Sequence, residues 1–289
     1  MHVICEKNIY FVEMRQTKFI ILILVCVSAF LETSFSQTTD TNLEFELKVQ
    51  EKFKRLQKTT DDELRTSIND SIYQEIKSWL KNENTFDYEL DTLKSIGYLK
   101  SEDGIVKIIN WNLPLMGNYN LFFGFVQYKE DNQIKTVELK FNEDALVNLE
   151  GSIFYPNNWY GALYYKIIHS KYKGEDTYTL LGFIPNDLFT SKKVIDVLNI
   201  SDNGLITLGK PIFQTKEGLK NRIVFEYSAR VVMKLNFSPK MDMIVYDHLS
   251  PSSPNYTGRY QFYGPDFSYD GLKFEKGIWQ EYQDITIEY

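Results

Sequence analysis

Three hydrophobic patterns succeed one another along the chain. An unbroken apolar run, Phe19 to Leu31, follows Met14, Arg15 and Lys18. From Phe45 to Ile96 apolar residues recur at the three- and four-residue spacing of helices, and from Ile105 onward they gather into short, β-branched and aromatic blocks.

The first pattern has a targeting form. The run is thirteen residues long, whereas a helix needs about 20 to cross the hydrocarbon core of a bilayer. Basic residues, a short apolar centre and a polar stretch ending in Ser34, Phe35 and Ser36 match a secretory signal peptide. The expectation is cleavage between Ser36 and Gln37, with Met14 as the initiator, residues 1–36 removed and no transmembrane anchor in the mature chain. Ile23 and Val25 do not fit the pattern that lipid attachment at Cys26 requires.

The second pattern predicts three short helices over residues 37–100. Phe45, Val49, Phe53 and Leu56 mark the first. Thr60 and Glu63 have the spacing of a capping box, and Leu64, Ile68, Ile72, Ile76, Trp79 and Leu80 then line one face of the second. Phe86, Leu90 and Leu93 suggest a third from Thr85 to Ile96, closed by Gly97 at its C-terminus.

The third pattern occupies residues 101–289. Turn residues separate IVKIINW, NLFFGFVQY, KTVELKF, ALYYKIIHS, TYTLLGFI, KKVIDVLNI, RIVFEYSA, VVMKLNF, MIVYDHL and RYQFYG. Loops this short exclude parallel crossovers between sequence neighbours. The expected fold is therefore α+β and mainly β: N-terminal helices followed by an antiparallel β meander, as a sandwich, an open barrel or a partial propeller-like array. No repeat of fixed period runs through the chain.

Composition narrows the setting. Cys5 and Cys26 both precede the expected cleavage point, so the mature chain would be cysteine-free, without disulfides, a thiol nucleophile or a cysteine-ligated metal. The net charge of −7 argues against nucleic acid or an anionic membrane as partner.

Several segments carry a resemblance: SIGYLKSEDGIVKIINWN (95–112), TYTLLGF (177–183), TSKKVIDVLNI (190–200), RIVFEYSAR (222–230), MIVYDHLSP (243–251) and YQFYGPDFSYDGLKFEKGIW (260–279). Together they resemble an uncharacterised family of exported proteins from Gram-negative bacteria. That family has no assigned activity, so the resemblance implies export and a single mature domain, and it assigns no catalytic residue.

Candidate chemistry concentrates near the C-terminus. No G-x-S-x-G elbow, H-E-x-x-H helix, phosphate-binding glycine loop or dinucleotide fingerprint is present. The mature chain holds two histidines. His169 lies within a strand-like run and reads as an ordinary hydrogen-bonded strand residue, whereas His248 closes a strand beside Asp247, although neighbours in a strand point to opposite faces. Asp266, Ser268 and Asp270, followed by Gly271, repeat the oxygen spacing that opens a calcium loop. The twelfth position is Gly277, so a hairpin turn is the simpler reading and calcium the one cofactor candidate.

Ten aromatics lie between Tyr256 and Tyr289. Among them Tyr260, Phe262, Tyr263, Tyr269 and Trp279, edged by Arg259 and His248, are the candidate ligand-binding residues. The expectation is an exported, non-catalytic β protein in the periplasm, at the outer membrane or secreted, binding a ligand or envelope protein through this region. Alternatives are an extracytoplasmic hydrolase acting on glycan or peptide, or a structural component of an envelope complex.

Overall fold

The computed structural model describes residues 41 to 287, apart from 132 and 202. The expected signal peptide, its cleavage site, both cysteines and Tyr289 lie outside the described residues.

Residues 41–58 form helix α1, with Val49, Phe53 and Leu56 buried as their spacing predicts. Helix α2 (Asp62–Trp79) buries Ile68, Ile72 and Ile76. Its N-cap is Asp61, one residue later than the capping-box spacing suggested, and the Asp61 carboxylate accepts from Leu64 N–H at 2.8 Å. No helix among the described residues is long and apolar enough to cross a membrane.

The expected third helix does not form. Asn82 caps a single 3-10 turn, Glu83–Thr85, and the chain from 86 to 96 is irregular. Phe86, Leu90 and Leu93 are buried nonetheless. The carbonyls of Thr85, Tyr88 and Thr92 accept from Lys107, Tyr98 and Gln50 side chains, so side chains supply the partners that a helix would have provided. Gly97 opens the first strand instead of capping a helix. A β-carbon there would lie 2.9 Å from the Tyr164 carbonyl, so glycine permits a close approach.

Strands β1 (Gly97–Lys100), β2 (Val106–Pro114), β3 (Asn120–Glu130) and β4 (Gln133–Lys140) form the first sheet in chain order. The sheet thus begins four residues before the helix–strand boundary expected at 101. In the second sheet, β5 (Leu163–Tyr172), β6 (Glu175–Pro185) and β7 (Thr190–Ile200) lie in sequence, and β8 (Ile206–Leu208) pairs with one end of β7. Short β9 (Phe213–Thr215) and β10 (Gly218–Lys220) belong to the third sheet, while β11 (Ile223–Ser228) returns to pair with β7. β12 (Leu235–Ser238), β13 (Met243–Pro251), β14 (Tyr263–Glu275) and β15 (Ile278–Tyr282) complete the third sheet. Antiparallel pairing prevails, as expected. Among the described strands β9 and β15 pair in parallel across a long stretch of sequence, and Phe141 and Trp159 form an isolated parallel bridge.

Side-chain alternation places the second sheet between the other two. Tyr178, Leu180, Val194 and Leu198 join Val106, Ile108, Val126 and Leu139 of the first sheet in one core. Leu181, Ile195 and Val197 point the other way and join Ile244, Tyr246, Leu272 and Trp279 of the third. Burial on both faces explains why β6 and β7 read as nearly continuous apolar runs. The outer face of the first sheet meets α2, where the Trp111 indole donates to Asn69 at 2.9 Å and Tyr73 stacks on Phe125.

One ion pair lies inside this stack. Arg222 Nε sits 2.9 Å from Asp196 Oδ2, and both side chains are fully buried. Asp196 also accepts from the Tyr160 hydroxyl at 2.6 Å, and Arg222 Nη1 donates to the carbonyls of Leu149 and Ser152. The guanidinium lies over the rings of Phe154 and Tyr160. Removing one member strands a desolvated charge, which typically costs about 3–5 kcal/mol. Arg222→Met should show that loss in denaturant unfolding, and adding Asp196→Leu should recover a large part of it.

Lys107 is another fully buried ionisable side chain. Its ammonium donates to Thr85 O at 2.7 Å and faces Trp79, Tyr98 and Phe86. Burial pushes its pKa down to about 7, against about 10.4 in an unfolded chain. Between those values the unfolded chain holds a proton that the folded one lacks, so stability rises with pH across that window, by up to about 1.4 kcal/mol per unit. Unfolding measured at several pH values should show this slope in the wild type and not in Lys107→Met.

Candidate functional site

The C-terminal candidates lie where β13 and β14 lose register. The two strands pair from Met243 with Lys273 to Asp247 with Tyr269, then resume with Leu249 opposite Pro265. His248 therefore faces three residues, Asp266, Phe267 and Ser268, and the surplus is taken up as a bulge. Phe267 adopts the left-handed region, φ 72°, which costs a residue with a β-carbon about 1–2 kcal/mol. Its side chain is 93 % exposed, so no burial of the ring offsets that strain.

Polar side chains around the bulge are tied together. His248 Nδ1 meets Asp270 Oδ2 at 2.7 Å, with the imidazole side chain 36 % exposed and the carboxylate 6 % exposed. The second Asp270 oxygen accepts from Asp284 N–H at 3.0 Å. Ser250, two residues from His248 on the same strand face, donates to Asp266 Oδ2 at 2.7 Å, and Ser268 donates its hydroxyl and its N–H to Asp266 Oδ1. Desolvation raises the Asp266 pKa, but the Ser250 and Ser268 donors and the nearby His248 outweigh it and hold the carboxyl below its ordinary value. Asp247 turns to the opposite face and accepts from Lys234 N–H at 2.7 Å, as expected for the neighbour of His248 in a strand.

The residues between the two strands form a turn, not the strand expected for RYQFYG. Pro254–Tyr256 and Tyr260–Phe262 are 3-10 turns, with Gly258 between them at φ 79°. The proline and the positive-φ glycine break the extended pattern that the aromatics alone suggest. Tyr256 stacks on Phe262 at 4.1 Å between centroids, and Tyr260 packs against Tyr263 at 5.2 Å. Tyr260, Phe262 and Arg259 are exposed, while Tyr263 and Tyr269 are half-buried.

Two readings of the sequence need correction. Trp279 is not a surface residue: it is 1 % exposed, and its indole donates to Thr179 inside the core between the second and third sheets. Residues 266–271 form no hairpin turn but run inside β14, because the chain reverses earlier, through 252–262. Asp266 and Asp270, considered for calcium with Ser268, engage different partners: two serines and one histidine respectively.

The chain matches no protein-family model, no curated protein and no solved structure. The site combines a fixed imidazole and a hydrogen-bonded carboxylate with an exposed phenylalanine in the bulge opposite His248, and Val231 packs toward Gly264.

Ser250 and Phe267 were not among the candidate ligand-binding residues. Two-residue periodicity alone places Ser250 beside His248, whereas Phe267 is thrust outward by a bulge that no local pattern announces. A second group escaped the sequence reading altogether. His169 Nε2 lies 2.8 Å from Asp176 Oδ1 and 3.3 Å from Asp103 Oδ2, so this histidine has two carboxylate partners on one nitrogen instead of the single ordinary partner expected.

Proposed function

We propose that the protein works outside the cytoplasm as a non-catalytic binding protein that takes a neutral, sugar-containing envelope ligand on the β13–β14 ledge. The observation that carries this reading is Phe267, held in a strained backbone conformation with its ring in solvent, in the bulge opposite His248. Strain kept at an exposed aromatic is a mark of function more than of packing. Sugar rings offer an apolar C–H face to stack on Phe267 and Tyr260, and hydroxyls that pair with His248 and Asp266. The ionised Asp266 and the net charge of −7 disfavour anionic ligands. Export is supported by the basic and apolar pattern of residues 15–31 and by the restriction of both cysteines to positions 5 and 26.

A hydrolase reading draws on the same Asp270–His248 pair, which has the form of a carboxylate-oriented general base. Ser250 speaks against it, because its hydroxyl donates to Asp266 and not to the imidazole. A structural role in an envelope complex has no particular contact in its favour.

Binding is tested by thermal melts against soluble cell-wall and capsular oligosaccharides. A ligand at 100 times its Kd adds about 2.7 kcal/mol, a shift of roughly 5–10 °C for a chain of this size. Phe267→Gly should keep or raise the stability of the free protein by up to about 1 kcal/mol, by relieving the left-handed phenylalanine, and abolish the ligand shift. His248→Ala should weaken the shift. Absence of any shift overturns the reading, and oligosaccharide cleavage lost in His248→Ala would replace it with the hydrolase. For export, N-terminal sequencing of protein recovered outside the cytoplasm should begin at Gln37; an intact N-terminus in the cytoplasmic fraction would refute it.

A further inference from the structure

We propose that Asp103, His169 and Asp176 form a binding site for a divalent transition-metal ion of the zinc class, independent of the β13–β14 ledge. The geometry begins with the hairpin of β5 and β6, whose register sets His169 opposite Tyr178 and Lys171 opposite Asp176. His169 and Asp176 are therefore diagonal neighbours on one face. The turn between β1 and β2 brings Asp103 onto that face, where the Tyr178 hydroxyl donates to it at 2.8 Å. The three ligand atoms lie within 4.8 Å of one another, and no other group of three or more histidine, cysteine or acidic residues with this property occurs among the described residues.

Two carboxylate oxygens converge on a single imidazole nitrogen, at 2.8 and 3.3 Å. Both carboxylate oxygens are acceptors, so Nε2 either carries a proton toward them or shares with them a metal ion in that proton's place. Zinc bonds of about 2.0–2.2 Å in a tetrahedron put ligand atoms about 3.3–3.6 Å apart. The two nitrogen–oxygen distances already lie within about half an ångström of that spacing.

The remaining atoms of each ligand are held from behind. Asp103 Oδ1 accepts from the Ser101 hydroxyl and from Ile105 N–H, and Asp176 Oδ2 pairs with Lys171 at 3.0 Å. Asp176 Oδ1 and Asp103 Oδ2 face His169, whose ring stacks on Tyr178 at 5.4 Å, and Asp103 Oδ2 uses its other lone pair to accept from the Tyr178 hydroxyl. Such outer partners orient metal ligands and set their affinity.

Access and charge agree with a cation. Asp176 and Tyr178 line a cleft of about 580 Å³ that also carries Glu130, Asp131, Glu175 and Lys129, with Lys171 and Lys210 paired to Asp176 and Glu175. The acidic lining favours cations beside Asp176, the one ligand residue that borders the cleft. Calcium requires six to eight oxygens and magnesium a hydrated octahedron. One imidazole with two carboxylates suits zinc and its neighbours better. A bound ion would clip the β1–β2 turn of the first sheet to the β5–β6 hairpin of the second.

The test is titration of untagged, EDTA-treated protein with zinc, magnesium and calcium chlorides by calorimetry and thermal melting. The expected result is one zinc per chain with a raised melting temperature, and no shift from magnesium or calcium at the same concentration. His169→Ala and Asp176→Asn should each weaken zinc binding at least tenfold, while His248→Ala leaves it unchanged. Melts of the metal-free variants report whether each is folded, and the isosteric Asp176→Asn decides the matter if His169→Ala does not fold. No zinc bound by the wild type, binding that survives in both folded site variants, or binding lost in His248→Ala overturns the assignment.

Discussion

The Arg222–Asp196 pair is the constraint to which the stacked sheets must conform. Two opposite charges are withdrawn from water between layers of aliphatic and aromatic side chains, and only their mutual contact and surrounding donors offset the desolvation. Arg222 precedes β11 and Asp196 lies on β7, so the pair fixes the edge at which the returning strand joins the second sheet. The carbonyls of Leu149 and Ser152, together with Phe154 and Tyr160, bind the same guanidinium. The connection from the first sheet to the second is thereby tied to the same point. Hydrophobic burial would accept several neighbouring registers, but the buried Arg222 and its partner Asp196 accept one.

Away from that centre, polar groups are organised where the sheet pattern is interrupted. The β13–β14 bulge adds residues opposite His248, exposes Phe267, and brings Ser250, Asp266, Ser268 and Asp270 into one hydrogen-bonded set. The β1–β2 turn similarly delivers Asp103 to the β5–β6 hairpin. In both places a rigid strand pair supplies a histidine and an irregular segment completes its surroundings, an arrangement that gives precise side-chain placement without a helix.

Much of the architecture was legible along the chain. Helical spacing marked α1 and α2, and strand-like blocks marked β2 to β7, because each depends on period and on nearby turn residues. The third helix failed since Phe86, Leu90 and Leu93 could be buried without helical backbone, with Lys107, Tyr98 and Gln50 satisfying its carbonyls. Trp279 could not be recognised as core, because aromatic content alone does not say which face of a strand is covered. The bulge went unseen because Asp266, Ser268, Asp270 and Gly271 have the composition of a turn, and only pairing with β13 keeps them extended.

The amino-acid sequence alone determined the mainly β class, the order of helices and strands, the antiparallel pairing of neighbours and the opposed directions of Asp247 and His248, all consequences of local stereochemistry. Tertiary structure decided the division into three sheets, the parallel contact of β9 with β15, the exposure of Phe267, and the meetings of His248 with Asp270 and of His169 with Asp103 and Asp176. Most of those contacts join residues far apart in the chain, and His169 reaches Asp176, seven residues on, only through the register of the β5–β6 hairpin. Their distances depend on strand register and layer stacking, which are set by collective burial and by the buried ion pair and not by any local run of residues.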